Sequence, residues 1–368
     1  MQKVNTTQYA ELLQHHWKIK SPLFVAGGPG IGKSMIPLQV FKTLAEEKGL
    51  EFIRWDRTNK DEKDAMFADP SKYFVFCDQR LSQMDTTDLR GIPKMESDMV
   101  DFMPPAWVSY FCNEKANGVI FFDEINLAPP VVAGAAYQII HDRSMSDMKL
   151  SDNVMLIAAG NRAEDKAFTF DMPLPLRDRF SECELQPSVE TWTEWAAGNV
   201  NPHLVSFVNW KESYLYRISD TGQDKSTTPR GIKRASDLIG KLSVTDSKIP
   251  LLTSIACGEA FATEFQAYVK YFADLDWDRI YSEPECLEDM EISQLFAVCG
   301  GLSEHFQKEP KQEKFDSIVG IVDKMKPEFA VMTLRMMRDF DVKTFKRLGI
   351  KNKVFVNTIA PRLGKFII

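Results

Sequence analysis

The stretch "GGPGIGKS", Gly27 to Ser34, follows the apolar run "PLFVA" and opens a helical pattern; its reading decides the fold. It fits G-x-x-x-x-G-K-[ST] in the strand-then-helix context that this pattern requires. The glycines let backbone N–H groups turn inward as an anion nest. Lys33 is then placed to reach β- and γ-phosphates, and the Ser34 hydroxyl to take a position on Mg²⁺. The expected ATP/ADP-binding residues run from Gly28, Pro29, Gly30 and Ile31 through Gly32, Lys33, Ser34 and Met35.

Outward from this loop, the first half alternates short apolar runs with helical stretches. The runs are "PLFVAGG" (22–28), "KYFVFCD" (72–78), "GVIFFDE" (118–124), "NVMLIAAGN" (153–161) and "SECELQP" (181–187). Several are apolar on consecutive positions, which suits strands of a parallel sheet covered on both faces. Helices are expected over Ser34–Lys48, Pro105–Asn117 and Pro130–Asp142, the last two opening with proline where its missing N–H costs nothing. Alternation of β and α predicts a doubly wound α/β core. From about residue 188 the pattern turns helical, with one short strand-like run, "YLYRIS", and a polar loop over 219–227.

Two further elements converge on the phosphate loop. "VIFFDE" ends a buried strand in Asp123 and Glu124, which places both carboxylates at the carboxyl edge of the sheet. There Asp123 would hold magnesium together with Ser34, and Glu124 would polarise the attacking water. "NVMLIAAGN" ends in Asn161, positioned to hydrogen-bond the γ-phosphate or the same water; capping a turn is the other use of such an asparagine.

Composition restricts the partners. The chain has 368 residues, a net charge of −7 and ordinary hydrophobic and charged fractions. It has room for two or three domains. No run approaches the roughly 18 apolar residues of a membrane span, and no basic-then-apolar leader opens the sequence. Six scattered cysteines without a CxxC pair read as reduced thiols of a cytoplasmic protein. The acidic balance argues against a nucleic-acid-coating protein. However, residues 343–368 contain five lysines, two arginines and no acid. That end is either a plain basic surface or a docking face for an acidic partner or nucleic acid.

The series GGPGIGKS, VIFFDEIN, AAGN, PLRDRF and TPR, in this order, resembles the AAA+ ATPases, and within them the MoxR-like group related to the magnesium-chelatase ATPase subunit. "QRLSQMDTTDLRGIP" (79–93), "PPAW" (104–107), "INLAPPVVAGAAYQIIHDR" (125–143) and "GEAFATEFQAY" (258–268) extend the likeness over roughly residues 20–275. The resemblance implies an αβα sandwich with strand order 5-1-4-3-2, followed by a helical lid. The corresponding divisions are 1–187 for the nucleotide-binding core, 188–275 for the lid and 276–368 for a C-terminal helical region without motif. It further implies an insert within Asp85–Trp107 and a β-hairpin over 143–153, both facing the pore of a ring. Phe102, Trp107 and Tyr110 would then either touch a substrate or pack the insert on its own domain. Two strand-like runs, "EFIRWDR" (51–57) and "KYFVFCD", compete for one edge of the sheet.

By the same resemblance Arg230, in "TPRGIKRASDL", is a second sensor acting in cis or in trans. Arg179, directly before Phe180 in "PLRDRF", is the arginine finger serving a neighbouring subunit, and Arg177 pairs with an acid across the interface or with solvent. The implied activity is Mg²⁺-dependent ATP hydrolysis by a ring, a homohexamer, that remodels a protein partner with a von Willebrand A-type (VWA) domain. The alternative is a nucleic-acid motor or loader.

Overall fold

The computed structural model describes residues 1–96, 99–145, 148–162, 174–219 and 224–367. It divides into two compact units, 1–186 and 187–368. The first is built on an all-parallel sheet of seven strands: β1 (Gln2–Val4), β2 (Leu23–Ala26), β3 (Glu51–Arg54), β4 (Tyr73–Arg80), β7 (Asn117–Asp123), β10 (Val154–Gly160) and β11 (Ser181–Leu185). Their spatial order is β1-β11-β2-β10-β7-β4-β3. Without the two edge strands this is the 5-1-4-3-2 order, so the chain has the αβα P-loop sandwich of the AAA+ type. Both competing runs are in the sheet: "EFIR" forms the edge, and "YFVFCDQR" pairs with the acid-bearing strand.

The central strands are apolar at consecutive positions because both faces are covered. On one face Trp17, Phe41 and Phe74 meet at ring distances of 5.1–5.8 Å. On the other, Ile120, Phe122, Leu156 and Ala158 pack with Val132, Ala136 and Ile139 of the helix Pro130–Asp142. Helix boundaries follow local chemistry. Asn5 and Gln8 close a reciprocal capping box at the start of Thr6–Ile19. The helix expected over Pro105–Asn117 is shorter, Ala106–Phe111.

The insert is an antiparallel hairpin, β5 (Ile92–Glu96) and β6 (Met99–Met103). A second hairpin, β8 (Ser144–Met145) and β9 (Met148–Lys149), follows the helix Pro130–Asp142. Positions 97–98, 146–147 and Pro173, which fall within the expected insert, hairpin and finger segment, lie outside the described residues. Trp107 and Tyr110 are buried, and Tyr110 packs against Trp55, Phe67 and Phe111. Of the three candidate substrate aromatics only Phe102 is exposed, with Ile92, Met95 and Met103 of the same hairpin.

The second unit is helical around one continuous core that reaches from Trp192 to Leu363. "YLYRIS" contributes only an isolated bridge, Arg217 to Thr227; positions 220–223 of that loop lie outside the described residues. The long apolar pattern over 250–275 is two helices, Ile249–Cys257 and Glu259–Ala273. Gly258 breaks it at φ +96°, where a side chain would stand 2.4 Å from the Lys225 carbonyl.

A polar group sits inside this core. His203 is fully buried, with Nδ1 3.2 Å from the Tyr268 hydroxyl and Nε2 3.5 Å from Glu304. Lys308 lies 3.0 Å from the other oxygen of Glu304. Burial opposes ionisation of Glu304, but His203 and Lys308 outweigh it and hold the carboxyl at about 2. This folded value is below the unfolded one of about 4.3. Its stabilisation is therefore present above the unfolded value and is lost as pH falls toward 2. Acid unfolding of the native protein should steepen across that window, and Glu304→Gln should flatten it; an identical acid limb in the two proteins would refute the assignment.

Candidate nucleotide site

The sheet order brings three strand ends to one edge. The loop after β2 turns through Gly30 (φ +74°) and Gly32 (φ +107°), conformations that a β-carbon would strain. Among the described residues, the amides of Gly30, Gly32 and Ser34 donate to no backbone carbonyl. An anion placed in this turn would supply the acceptors they lack. Lys33 lies half-buried in the same turn, its Nζ donating to the carbonyls of Gly27 (2.5 Å) and Gly28 (2.9 Å) and to Asn161 Oδ1 (3.0 Å). Ile31 is buried under the loop, whereas Met35 opens the helix Met35–Glu47 with its side chain exposed.

Asp123 ends β7 and is buried. Its Oδ2 accepts from Ser34 Oγ at 2.8 Å, and its Oδ1 from the Glu124 amide at 3.0 Å. The serine and the acid expected to share magnesium are therefore already in contact. Among the described residues no set of three or more His, Cys, Asp or Glu side chains forms a ready-made metal cage. A single carboxylate beside a hydroxyl suits Mg²⁺, which keeps waters and takes further ligands from phosphate.

Glu124 stands in the left-handed region (φ +55°), unusual for a residue with a β-carbon. Its Oε2 accepts from Ser82 Oγ at 2.7 Å. Ser82 follows β4 and was not singled out by sequence; "LSQ" has no periodicity that marks it. Beside Asp123, burial pushes the Asp78 carboxyl up to about 6, and the charge of Asp123 adds to it.

Asn161 is held by a second residue without a sequence signal. Asn126 Nδ2 donates to the Asn161 carbonyl (2.6 Å), and Asn126 Oδ1 accepts from the Asn161 amide (3.1 Å). Gly160 makes room for this clamp, since a β-carbon there would stand 2.7 Å from Asn126 Oδ1.

Two expected residues lie elsewhere. Arg179 is exposed in the turn before β11, with the buried Phe180 ring 6.1 Å from Phe24. Ser181 pairs in register with Leu23, at the amino end of β2. Arg179 is thus at the opposite edge of the sheet from the phosphate loop, and β2 between them spans about 13 Å for its four residues. Arg177 binds Glu182 of its own chain in a two-pronged pair of 2.9 and 2.8 Å, so the expected partner across an interface, or solvent, is replaced by a local one. Arg230 belongs to the second unit, exposed at the start of the helix Pro229–Ile239, which Thr228 caps through the Gly231 amide at 3.1 Å.

No family model matches the chain, and no curated protein does either. Among solved structures it is similar to a RuvB variant from Thermotoga maritima, with 15% identity over 79% of this chain and 83% of that one, at a TM-score of 0.32. It is also similar to NtrX from Brucella abortus in complex with ADP, with 11% identity over 97% and 68% of the two chains, at a TM-score of 0.29. Likeness at this level says nothing about activity, and the strand order and the loop define the class by themselves. Among the described residues, no helix is long and apolar enough to cross a membrane.

Removing the Asn126 side chain leaves the Asn161 amide and carbonyl without partners, at a cost of about 1–3 kcal/mol. Asn126→Ala should accordingly destabilise the first unit and speed hydrogen exchange at the Asn161 amide. Exchange as slow as in the native protein would show that the clamp carries no weight.

Proposed function

We propose that this chain is a Mg²⁺-dependent ATPase that works as a ring of identical subunits. The observation that carries this reading is the meeting of Lys33, the Ser34–Asp123 pair, Glu124 and Asn161 at one sheet edge. Lys33 and the loop amides would hold the β- and γ-phosphates of ATP in place of the carbonyls that Lys33 now contacts. Ser34 and Asp123 would hold magnesium, which when bound neutralises phosphate charge. Glu124 would accept a proton from the attacking water, with Ser82 fixing the direction of its carboxylate. Asn161, held by Asn126, would orient that water or the γ-phosphate.

Support for assembly comes from Arg179. From the far edge of the sheet it does not reach its own phosphate loop, so any catalytic contact is with the nucleotide of a second copy. A guanidinium at developing γ-phosphate charge is worth about 10³–10⁵ in rate. Arg230, in the first turn of its helix, faces the positive end of the helix dipole, where a cation costs stability. Phosphate contact would offset that cost, which supports a sensing role.

The finer reading is a MoxR-like hexamer in which 188–275 acts as a lid and a VWA-domain protein is the remodelled partner. It rests on the sequence resemblance, with the exposed apolar residues of the β5–β6 hairpin as a surface for gripping a polypeptide. The nucleic-acid motor keeps one supporting observation: Lys343, Lys346, Lys351 and Lys353 are exposed and, among the described residues, form no ion pair. Stimulation of turnover by single-stranded DNA, lost steeply with salt, would favour the motor.

Glu124→Gln should bind ATP and retain it without turnover; turnover equal to the native protein would refute Glu124 as the base. Arg179→Ala should bind ATP but hydrolyse it poorly, and admixture of Lys33→Ala subunits with intact Arg179 should restore hydrolysis. Full activity of Arg179→Ala alone would end the finger assignment.

A further inference from the structure

Arg179 is not held by solvent alone. Its Nη2 meets Nε2 of His141, and Nδ1 of the same ring meets Oδ1 of Asp142. A guanidinium has donors and no acceptor, so Nε2 must accept. In this contact the ring proton sits on Nδ1 and is donated to the Asp142 carboxylate.

We propose that His141 is a positioning residue for the finger: its neutral ring, oriented by Asp142, aims the Arg179 guanidinium at the nucleotide of the adjoining copy. This rests on the in-trans reading of Arg179 and adds what directs it.

Both ends of the contact are anchored. His141 closes the helix Pro130–Asp142, whose C-cap, Arg143, adopts φ +50°. The Arg143 guanidinium donates to the carbonyls of Ser151 (2.9 Å) and Val154 (2.7 Å), which ties the helix end to the start of β10. Arg179 is fixed from the other side by Phe180, buried against Phe24 of β2. Between these anchors the arginine side chain is the mobile part, with rotamer entropy to lose on being placed. A partner that pre-places it reduces that loss at the moment of reaction.

The chemistry of the partner matters as much as its position. A carboxylate in direct contact would bind the guanidinium in a charge-assisted pair about twice as strong as a neutral bond, and would compete with phosphate. Arg177 is in that situation, clamped by Glu182. A neutral imidazole acceptor occupies one N–H of Arg179 and leaves its charge and its other donors for phosphate. Asp142 orients the ring without touching the arginine in this chain of contacts.

The test uses mixed assemblies in which only one kind of site can turn over. Arg179→Ala subunits, with Lys33 intact, are mixed with Lys33→Ala donors carrying native or substituted His141, and ATP hydrolysis is measured. A donor with His141→Ala should restore on the order of tenfold less kcat than the His141 donor, with KM for ATP unchanged, as expected for a misplaced catalytic group. His141→Gln keeps a neutral acceptor and should recover most of the rate, whereas His141→Lys, a cation against the guanidinium, should restore least. His141 is exposed, so its substitution leaves the fold in place. Equal restoration by the His141→Ala and His141 donors would overturn the proposal, as would a His141→Gln donor no better than His141→Ala. If the donor with native His141 restores nothing, the in-trans reading falls, and the proposal falls with it.

Discussion

Lys33 brings a positive charge into a half-buried turn where two backbone carbonyls and Asn161 Oδ1 converge on it. A cation there is stable only while acceptors surround it, and the order of the sheet decides which acceptors those are. Because β10 lies between β2 and β7, the strand end nearest the lysine is Asn161. Asp123 is one strand further and is reached from Ser34, the residue just before the next helix. A sheet wound in sequence order would set β3 beside β2 and leave both residues out of range. The site is therefore a property of the crossover connections, and the motif residues are where those crossovers deliver side chains.

The same edge concentrates unfavourable local geometry. Glu124 is left-handed, Gly30 and Gly32 have positive φ, and the Asp78 carboxyl is raised to about 6 by burial, with the charge of Asp123 adding to it. Glycine adopts positive φ freely, but for Glu124 the left-handed conformation costs about 1–3 kcal/mol and persists where the surroundings over-determine it. Here the surroundings are specific: Ser82 on the Glu124 carboxylate, Asp123 on the Glu124 amide, and Asn126 on both backbone groups of Asn161. The Ser82 and Asn126 restraints each tie one strand end to another.

How far a residue was legible in the sequence depended on whether its signal was local. Gly27 to Ser34 has fixed spacing within eight positions, and Asp123, Glu124 and Asn161 each end an apolar run, so pattern alone finds them. Ser82, Asn126 and His141 contact residues 42, 35 and 38 positions away. They lie on short turns or at a helix end, where no periodicity marks a polar side chain. Edge strand β1, with three residues, is too short for a period-2 pattern. β3 is legible as the strand-like run "EFIRWDR", but its residues are only half-buried and lack the long apolar run of the central strands, so its place in the sheet was not. Gly258 escaped for another reason: apolar spacing continues through it, and only the +96° backbone angle reveals the break.

The two ends of the sheet carry different kinds of chemistry, and this difference argues for assembly. At the carboxyl edge lie the groups that would hold phosphate, magnesium and water. At the amino edge lies an exposed arginine, Arg179, in contact with His141. The helix Pro130–Asp142 starts just after Glu124–Leu127 and returns to the amino edge, where it ends at His141 beside Arg179. Under the in-trans reading of Arg179, one helix connects the segment carrying the proposed base, Glu124, to the side chain that would complete a second site.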